Sequence, residues 1–196
     1  MSSKLENDKY YTPINLAKYC IDKTFEIIGE ENITEIIEPS AGDGSFSNQI
    51  YGCIAYDLVP ESENIKQADF LKLKMNYKNG RLFIGNPPFG VHNKLVVDFY
   101  DKCCECGDYI AFILPISCYK NDIKLYKFDL IYSEDLGLKY YTDRELHCCF
   151  NIYKRPNSGM FNPKPNYELN EITIIEHRRK NGDYQTAANK EIKDGY

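Results

Sequence analysis

The 196-residue chain contains no apolar run near the roughly 20 residues that a membrane-crossing helix needs, which excludes a helical membrane span. Its polar opening, MSSKLENDKYYTP, carries no apolar segment of the kind that directs secretion. An intracellular setting, cytoplasm or nucleus, with no membrane partner is therefore expected. Positive charge is in short supply too: 24 Lys and Arg face 29 Asp and Glu, a net charge of −5. That excludes a protein that coats nucleic acid by charge alone. The imbalance is uneven, with 14 basic against 21 acidic side chains in 1–138 and 10 against 8 in 139–196. The last third is either an ordinary solvated face or a place where a polyanion lies.

The chain also lacks internal repeats, low-complexity tracts and the paired cysteine spacing of a zinc module. Its eight cysteines cluster in apolar surroundings, Cys103, Cys104 and Cys106 in one group and Cys148 and Cys149 in another. They read as reduced core thiols. Cys103 and Cys106 have C-x-x-C spacing, but no second pair accompanies them and no metal is expected.

What is present is a globular composition, 43% hydrophobic and 14% aromatic. It suits one domain over residues 1–180 and a polar tail over 181–196. Apolar runs bounded by turn residues alternate with stretches of helical period, the pattern of an α/β domain. Strands are expected at 35–38, 53–58, 68–70, 82–85, 109–114, 130–133, 146–154 and 171–177. Helices are expected at 16–29, from Ser45 onward, at 93–106 and at 122–128. Residues 155–170, with three prolines and a glycine, form a loop that could reach a substrate.

The segment Glu38-Pro39-Ser40-Ala41-Gly42-Asp43-Gly44 follows a strand and opens a turn whose glycines let the backbone approach a ligand closely. Such a turn serves dinucleotides and phosphates as well as other nucleosides. The G-x-G-x-x-G spacing of a dinucleotide site is missing. Asp57 ends the next strand 19 positions after Glu38, where a carboxylate can accept bonds from both hydroxyls of a ribose. Asp69, in Ala-Asp-Phe, is placed to accept from an adenine amine while Phe70 packs on the ring. In this order the acids favour an adenosine cofactor.

Asn86-Pro87-Pro88-Phe89 is the most specific element. An exocyclic adenine amine is a poor nucleophile because its lone pair is delocalised into the ring. If the Asn86 side-chain carbonyl and the Pro87 main-chain carbonyl each accept one of its N–H groups, the nitrogen moves toward tetrahedral geometry and the lone pair is localised. The two prolines stiffen the turn, and Phe89 offers a face for a base. A base inside a duplex cannot reach such a turn, so the target is single-stranded or flipped out.

Together, EPSAGDGSF, Asp57, Ala-Asp-Phe at 68–70 and Gly-Asn-Pro-Pro-Phe-Gly at 85–90 resemble the class I methyltransferases that modify N6 of adenine. The motif order is similar to the gamma arrangement of the DNA enzymes, and the resemblance covers about residues 10–154. It implies a Rossmann-like fold, with a seven-stranded, mostly parallel sheet flanked by helices and an antiparallel strand near its C-terminal edge. The cofactor implied is S-adenosyl-L-methionine, held by Tyr11, Thr12, Pro13, Glu38, Ser40, Ala41, Gly42, Asp57, Leu58, Asp69, Phe70 and Asn86. Tyr11, Thr12 and Pro13 would close over its methionine end. Asn86, Pro87, Pro88 and Phe89 would be catalytic. Tyr140 or Tyr141 would supply the second aromatic around the base. Apart from the resemblance, Lys120, Lys124 and Lys127 follow the strand at 109–114 on the side where α/β sheets bind ligands, and they are either solvated or in contact with phosphate.

One departure matters. Only 42 residues follow Lys154, too few for the target-recognition domain usual in the DNA enzymes. DNA is the preferred substrate, with cap or structured RNA and protein glutamine as alternatives. A reading of another class is a silent nucleic-acid-binding subunit serving a partner protein. Intact Asn86, Asp57 and Asp69 favour an enzyme.

Overall fold

Alternate residues of the central strands point to opposite faces, and this sorts the core into two layers. The computed structural model describes residues 11–121, 123–141 and 144–166. In β4 (Arg81–Gly85), Leu82 and Ile84 pack toward α1 (Ile14–Ile28), while Phe83 packs toward α2 (Lys94–Cys106). In β5 (Tyr109–Pro115), Ala111 and Ile113 join the α1 layer, and Ile110, Phe112 and Leu114 the α2 layer. Helix α1 buries Ala17, Cys20, Ile21, Thr24 and Ile28, a stripe at helical spacing. Helix α2 buries Val96, Phe99, Tyr100, Cys103, Cys104 and Cys106 on the other face.

The remaining strands are β1 (Glu35–Glu38), β2 (Ile54–Asp57), β3 (Ile65–Gln67), β6 (Asp129–Tyr141) and β7 (Arg144–Lys154). They form one seven-stranded sheet in the order β3-β2-β1-β4-β5-β7-β6. All neighbours are parallel except where β7 pairs antiparallel with β5 and β6. The chain steps outward from β1 to β3, then returns to the other side of β1 as β4. The crevice therefore opens between the loops that follow β1 and β4, at the carboxyl ends of both strands.

Several expected elements differ. No α-helix begins at Ser45; residues Ser47–Gln49 make a single 3-10 turn. Polar side chains there take up the backbone groups a helix would use: Asp43 Oδ1 accepts from the Ser45 amide at 3.0 Å, and Asn48 Nδ2 donates to the Asp43 carbonyl at 3.1 Å. The strand expected at 68–70 lies at Ile65–Gln67, because Asp69 instead caps a 3-10 turn over Phe70–Lys72. No helix covers the described residues of 122–128. The Tyr100 hydroxyl holds that stretch, donating to the Leu125 carbonyl and accepting from the Phe128 amide, each at 2.8 Å. The strand at 130–133 extends over Asp129–Tyr141, with register shifts at Leu130/Tyr132 and Asp135/Gly137. The strand expected at 171–177, the domain limit at 180 and the tail at 181–196 lie outside the described residues.

Residues 155–162 run along the amino-terminal end of β5, opposite the crevice. Arg155 Nε bonds Asp108 Oδ1 at 2.9 Å, its Nη2 donates to the Gly107 carbonyl at 2.8 Å, and its guanidinium lies over Tyr77, Phe128 and Phe161. This part of the 155–170 loop, expected to reach substrate, packs a strand length of roughly 20 Å from the crevice.

Among the described residues, no helix is long and apolar enough to cross a membrane. All eight cysteines are free. Cys103 and Cys106, the C-x-x-C pair, are buried on α2, and burial pushes both thiols up.

Candidate active site

One cavity of about 340 Å³ occupies the crevice, within the span of about 300–1,000 Å³ usual for small-ligand sites. The turn after β1 forms its floor. Gly42 has φ +55°, and a Cβ there would come 3.3 Å from the Tyr11 ring, so a side chain would strain the backbone and press on the ring that covers it. The Gly42 amide donates to Asp57 Oδ2 at 2.7 Å, and the Val59 amide donates to Asp57 Oδ1 at 2.9 Å. Asp57 thus ties the glycine turn to the end of β2. Each carboxylate oxygen keeps a further lone-pair direction for a diol.

Tyr11 arches over this turn. Its hydroxyl donates to Glu61, whose own amide donates to the Gly42 carbonyl at 3.1 Å. Burial and the Glu61 carboxylate push the Tyr11 phenol up to about 12. Thr12, also buried, reaches the other side of the cavity: its Oγ1 accepts from Asn86 Nδ2 at 3.3 Å. The segment before α1 therefore touches both halves of the site.

Glu38, at the end of β1, is 2% exposed yet lines the cavity. Burial drives its carboxyl up to about 8, against the Ser47 amide donating to Oε2 at 2.8 Å. Beneath it, Gly85 leaves room: with φ +147°, it is a position where a Cβ would stand 3.3 Å from Glu38 Cγ. A buried carboxyl of this kind ionises most readily against a cation.

The β4 end supplies Asn86, Pro87, Pro88 and Phe89, all lining the same cavity. Ser40 Oγ donates to the Asn86 main-chain oxygen at 3.4 Å, linking the two loops. With the Asn86 amide nitrogen directed to Thr12, Oδ1 is the branch that can accept from a donor in the cavity. Phe89 packs against both core layers, which fixes its ring at the mouth.

Of the residues singled out from sequence, Tyr11, Thr12, Glu38, Ser40, Ala41, Gly42, Asp57, Leu58, Asp69, Phe70, Asn86, Pro87, Pro88 and Phe89 converge on this cavity. Two of them do so differently from expectation. Phe70 is 2% exposed, and its ring stacks on Phe99 at 5.6 Å and 16°. It walls the cavity while its faces belong to the core. Asp69 Oδ1 accepts from the Leu71 amide at 3.2 Å, and Oδ2 pairs with Lys72 at 2.7 Å.

Four expected residues do not line the cavity. Pro13 is exposed at the start of α1, where its carbonyl accepts from the Ala17 amide and begins the helix. Tyr141 is 0% exposed, buried against the α1 layer with Cys148 and Phe150. Tyr140 is exposed beside it on β6, since neighbours on a strand face opposite ways. Lys120 is exposed on the loop after β5, with its amine over the Tyr119 ring. Conversely, Leu95 and Phe99 line the cavity and were not foreseen; their i, i+4 apolar spacing just after Phe89 was the available signal. Glu61 had none, because its role depends on Tyr11 arriving from 50 positions away.

No known family profile and no curated protein sequence matches the chain. Solved structures do. A protein of Pyrococcus horikoshii named as a candidate RNA methyltransferase superposes with a TM-score of 0.58 at 16% identity, over 76% of this chain and 87% of its own. A Thermoplasma acidophilum protein gives 0.53 at 19% identity, over 72% and 86%. The 23S rRNA methyltransferase ErmE gives 0.53 at 11% identity, over 76% and 70%. The chain thus has the Rossmann-like fold of the class I methyltransferases, with its cavity where that fold places ligands.

Proposed function

We propose that this protein transfers a methyl group from S-adenosyl-L-methionine to the N6 amine of adenine in a nucleic acid. The observation that carries the reading is the joining of two motifs in one cavity. Asn86-Pro87-Pro88-Phe89 faces the glycine turn of residues 40–42, and the Asn86 amide is oriented by Thr12.

The residues fit the cofactor. Gly42 leaves an open floor, Asp57 stands where a ribose diol would lie, and the buried Glu38 suits a cationic amino group. Tyr11 would cover the methionine end. When bound, S-adenosyl-L-methionine supplies a methyl carbon on a positively charged sulfur, open to direct displacement.

The chain's own contribution is positioning. Asn86 Oδ1 and the Pro87 carbonyl accept the two N6 hydrogens, so the nitrogen lone pair turns toward the methyl carbon. Phe89 stacks on the extruded base. The bound cofactor would supply the methyl carbon that N6 takes as the C–S bond breaks, its electron pair staying on sulfur, and the surplus proton on N6 would pass to solvent. Both acceptors are neutral, so no strong base is needed. Holding the reactants in line supplies most of the acceleration.

Between polymers, the gamma-like motif order favours DNA over RNA. Phe rather than Tyr at position 89 favours a base over glutamine. The test is incubation of the protein with labelled cofactor and adenine-containing single-stranded DNA, duplex DNA or RNA, followed by digestion to nucleosides. Label in N6-methyladenosine or its deoxy form supports the reading. Label absent from both with all three polymers, or undiminished in Asn86→Ala, overturns it.

A further inference from the structure

Among the described residues, the backbone enters the left-handed region at three residues other than glycine: His92 (φ 55°), Asn93 (φ 61°) and Lys120 (φ 48°). All three stand on the loops that follow β4 and β5, on the side of Phe89 away from the glycine turn. A left-handed backbone at a residue other than glycine persists only where its surroundings hold it, which is why strain of this kind gathers at working surfaces.

The surroundings are specific. Asn93 Nδ2 donates to Ser117 Oγ at 3.0 Å, and Lys124 Nζ donates to the His92 carbonyl at 3.4 Å, so the two loops form one ridge. A relay that runs from the surface to a buried asparagine anchors the ridge to the sheet. The Lys120 amide donates to Ser133 Oγ at 3.0 Å, and Ser133 Oγ donates to Asn151 Oδ1 at 2.7 Å. Asn151, 0% exposed, in turn donates from Nδ2 to the Cys118 carbonyl at 2.8 Å.

The side chains presented are one imidazole and two ammonium groups. His92, Lys120 and Lys124 are exposed, and among the described residues neither lysine pairs with a carboxylate. Lys94 nearby is already met by Asp98 at 2.6 Å. On a chain with a net charge of −5, two exposed lysines with no carboxylate partner among the described residues are a focused feature beside the Asn86 turn rather than part of a basic surface.

We propose that His92, Lys120 and Lys124 bind the phosphates flanking the target adenine, fixing where the strand lies relative to Asn86. This rests on the nucleic-acid reading above. Phosphate contacts set register and orientation without reading sequence, which suits a chain whose catalytic turn must meet an extruded base. The left-handed backbone sets the direction of the His92 and Lys120 side chains, and the relay through Asn151 holds the backbone at Lys120.

The experiment measures binding of a 20-nucleotide single-stranded DNA containing adenine to the full-length protein, by fluorescence anisotropy across a salt series. It compares wild type with the double variant Lys120→Asn, Lys124→Gln. Asparagine tolerates the left-handed backbone at 120, so the charge is removed without adding strain. Losing two phosphate contacts should lower the slope of log affinity against log salt by about 1.4 and weaken binding at 0.1 M salt by roughly 10- to 30-fold. An unchanged slope and affinity overturns the proposal, and so does a wild type that binds no oligonucleotide.

Labelling of adenine by the same proteins separates this inference from the catalytic one. N6 label with an unchanged slope would sink the ridge alone. A reduced slope with no N6 label from wild type would sustain the ridge and sink the adenine reading.

Discussion

Asn86 and Thr12, 74 positions apart in sequence, are joined by a hydrogen bond of 3.3 Å from the asparagine Nδ2 to the threonine hydroxyl. An amide side chain has one donor branch and one acceptor branch, and rotation by half a turn exchanges them. The bond to Thr12 favours the orientation in which Oδ1 is turned to the cavity, where the proposed reaction needs an acceptor. Thr12→Val removes that preference and is expected to lower kcat about tenfold, from loss of a hydrogen bond worth about 1 kcal/mol or slightly more. Thr12→Ser should restore most of it. Steady-state kinetics with both variants checks this, and an effect confined to KM for the cofactor would refute the positioning role.

Asn86→Ala removes the acceptor itself. Turnover should fall by about a hundred- to a thousandfold, the usual cost of one preorganised partner of a developing charge. The affinity for S-adenosylhomocysteine, read by calorimetry, should change only a few fold. A comparable collapse in affinity would mean that Asn86 serves chiefly to hold the cofactor.

Glu38 gives a prediction in pH. Its carboxyl rises from the ordinary 4.5 to about 8 in the fold, so the folded state holds a proton that the unfolded chain releases. The associated stability is fully present below pH 4.5 and is lost as pH climbs toward 8, at up to about 1.4 kcal/mol per pH unit. Glu38→Gln cannot titrate. The stability of wild type relative to this variant, from urea unfolding at about pH 5 and about pH 8, should therefore decline with pH. Parallel curves would show that Glu38 ionises freely in the fold.

Tyr141 separates a packing role from a substrate role. Buried completely among Cys148, Phe150 and α1, it should cost about 3–5 kcal/mol as Tyr141→Ala, the range for emptying a large aromatic site. Tyr141→Phe keeps the ring and should retain full turnover. Loss of turnover in a stably folded Tyr141→Phe protein would return this residue to the active site.

The two sides of the cavity were legible because each depends on short, local chemistry: a glycine turn after a strand, an acid ending the next strand, an Asn-Pro-Pro-Phe run. Helix α2 was legible from its apolar period. The missing helix after Ser45 was not, since the competition comes from the Asp43 and Asn48 side chains rather than from the hydrophobic pattern. Tyr140 and Tyr141 misled for a different reason. The strand expected at 130–133 stops short of them, and only pairing with Arg144–Lys154 extends it to carry Tyr141 into the core. Glu61 and the Thr12 contact depend on closure over tens of residues, which no local pattern reports.

The sheet order also bears on how the molecule assembles. Strands β6 and β7 join through a short connection, whereas β1 pairs with β4 in a register that sets Glu35 beside Arg81, with two other strands between them in sequence. Closing the longer span carries the larger loss of chain entropy, and parallel pairing between distant segments is slow. The cavity straddles that β1–β4 seam. Refolding should therefore complete the hairpin first and the cavity late, and pulsed hydrogen exchange should find the Ile36 and Ile37 amides protected after that of Ile152.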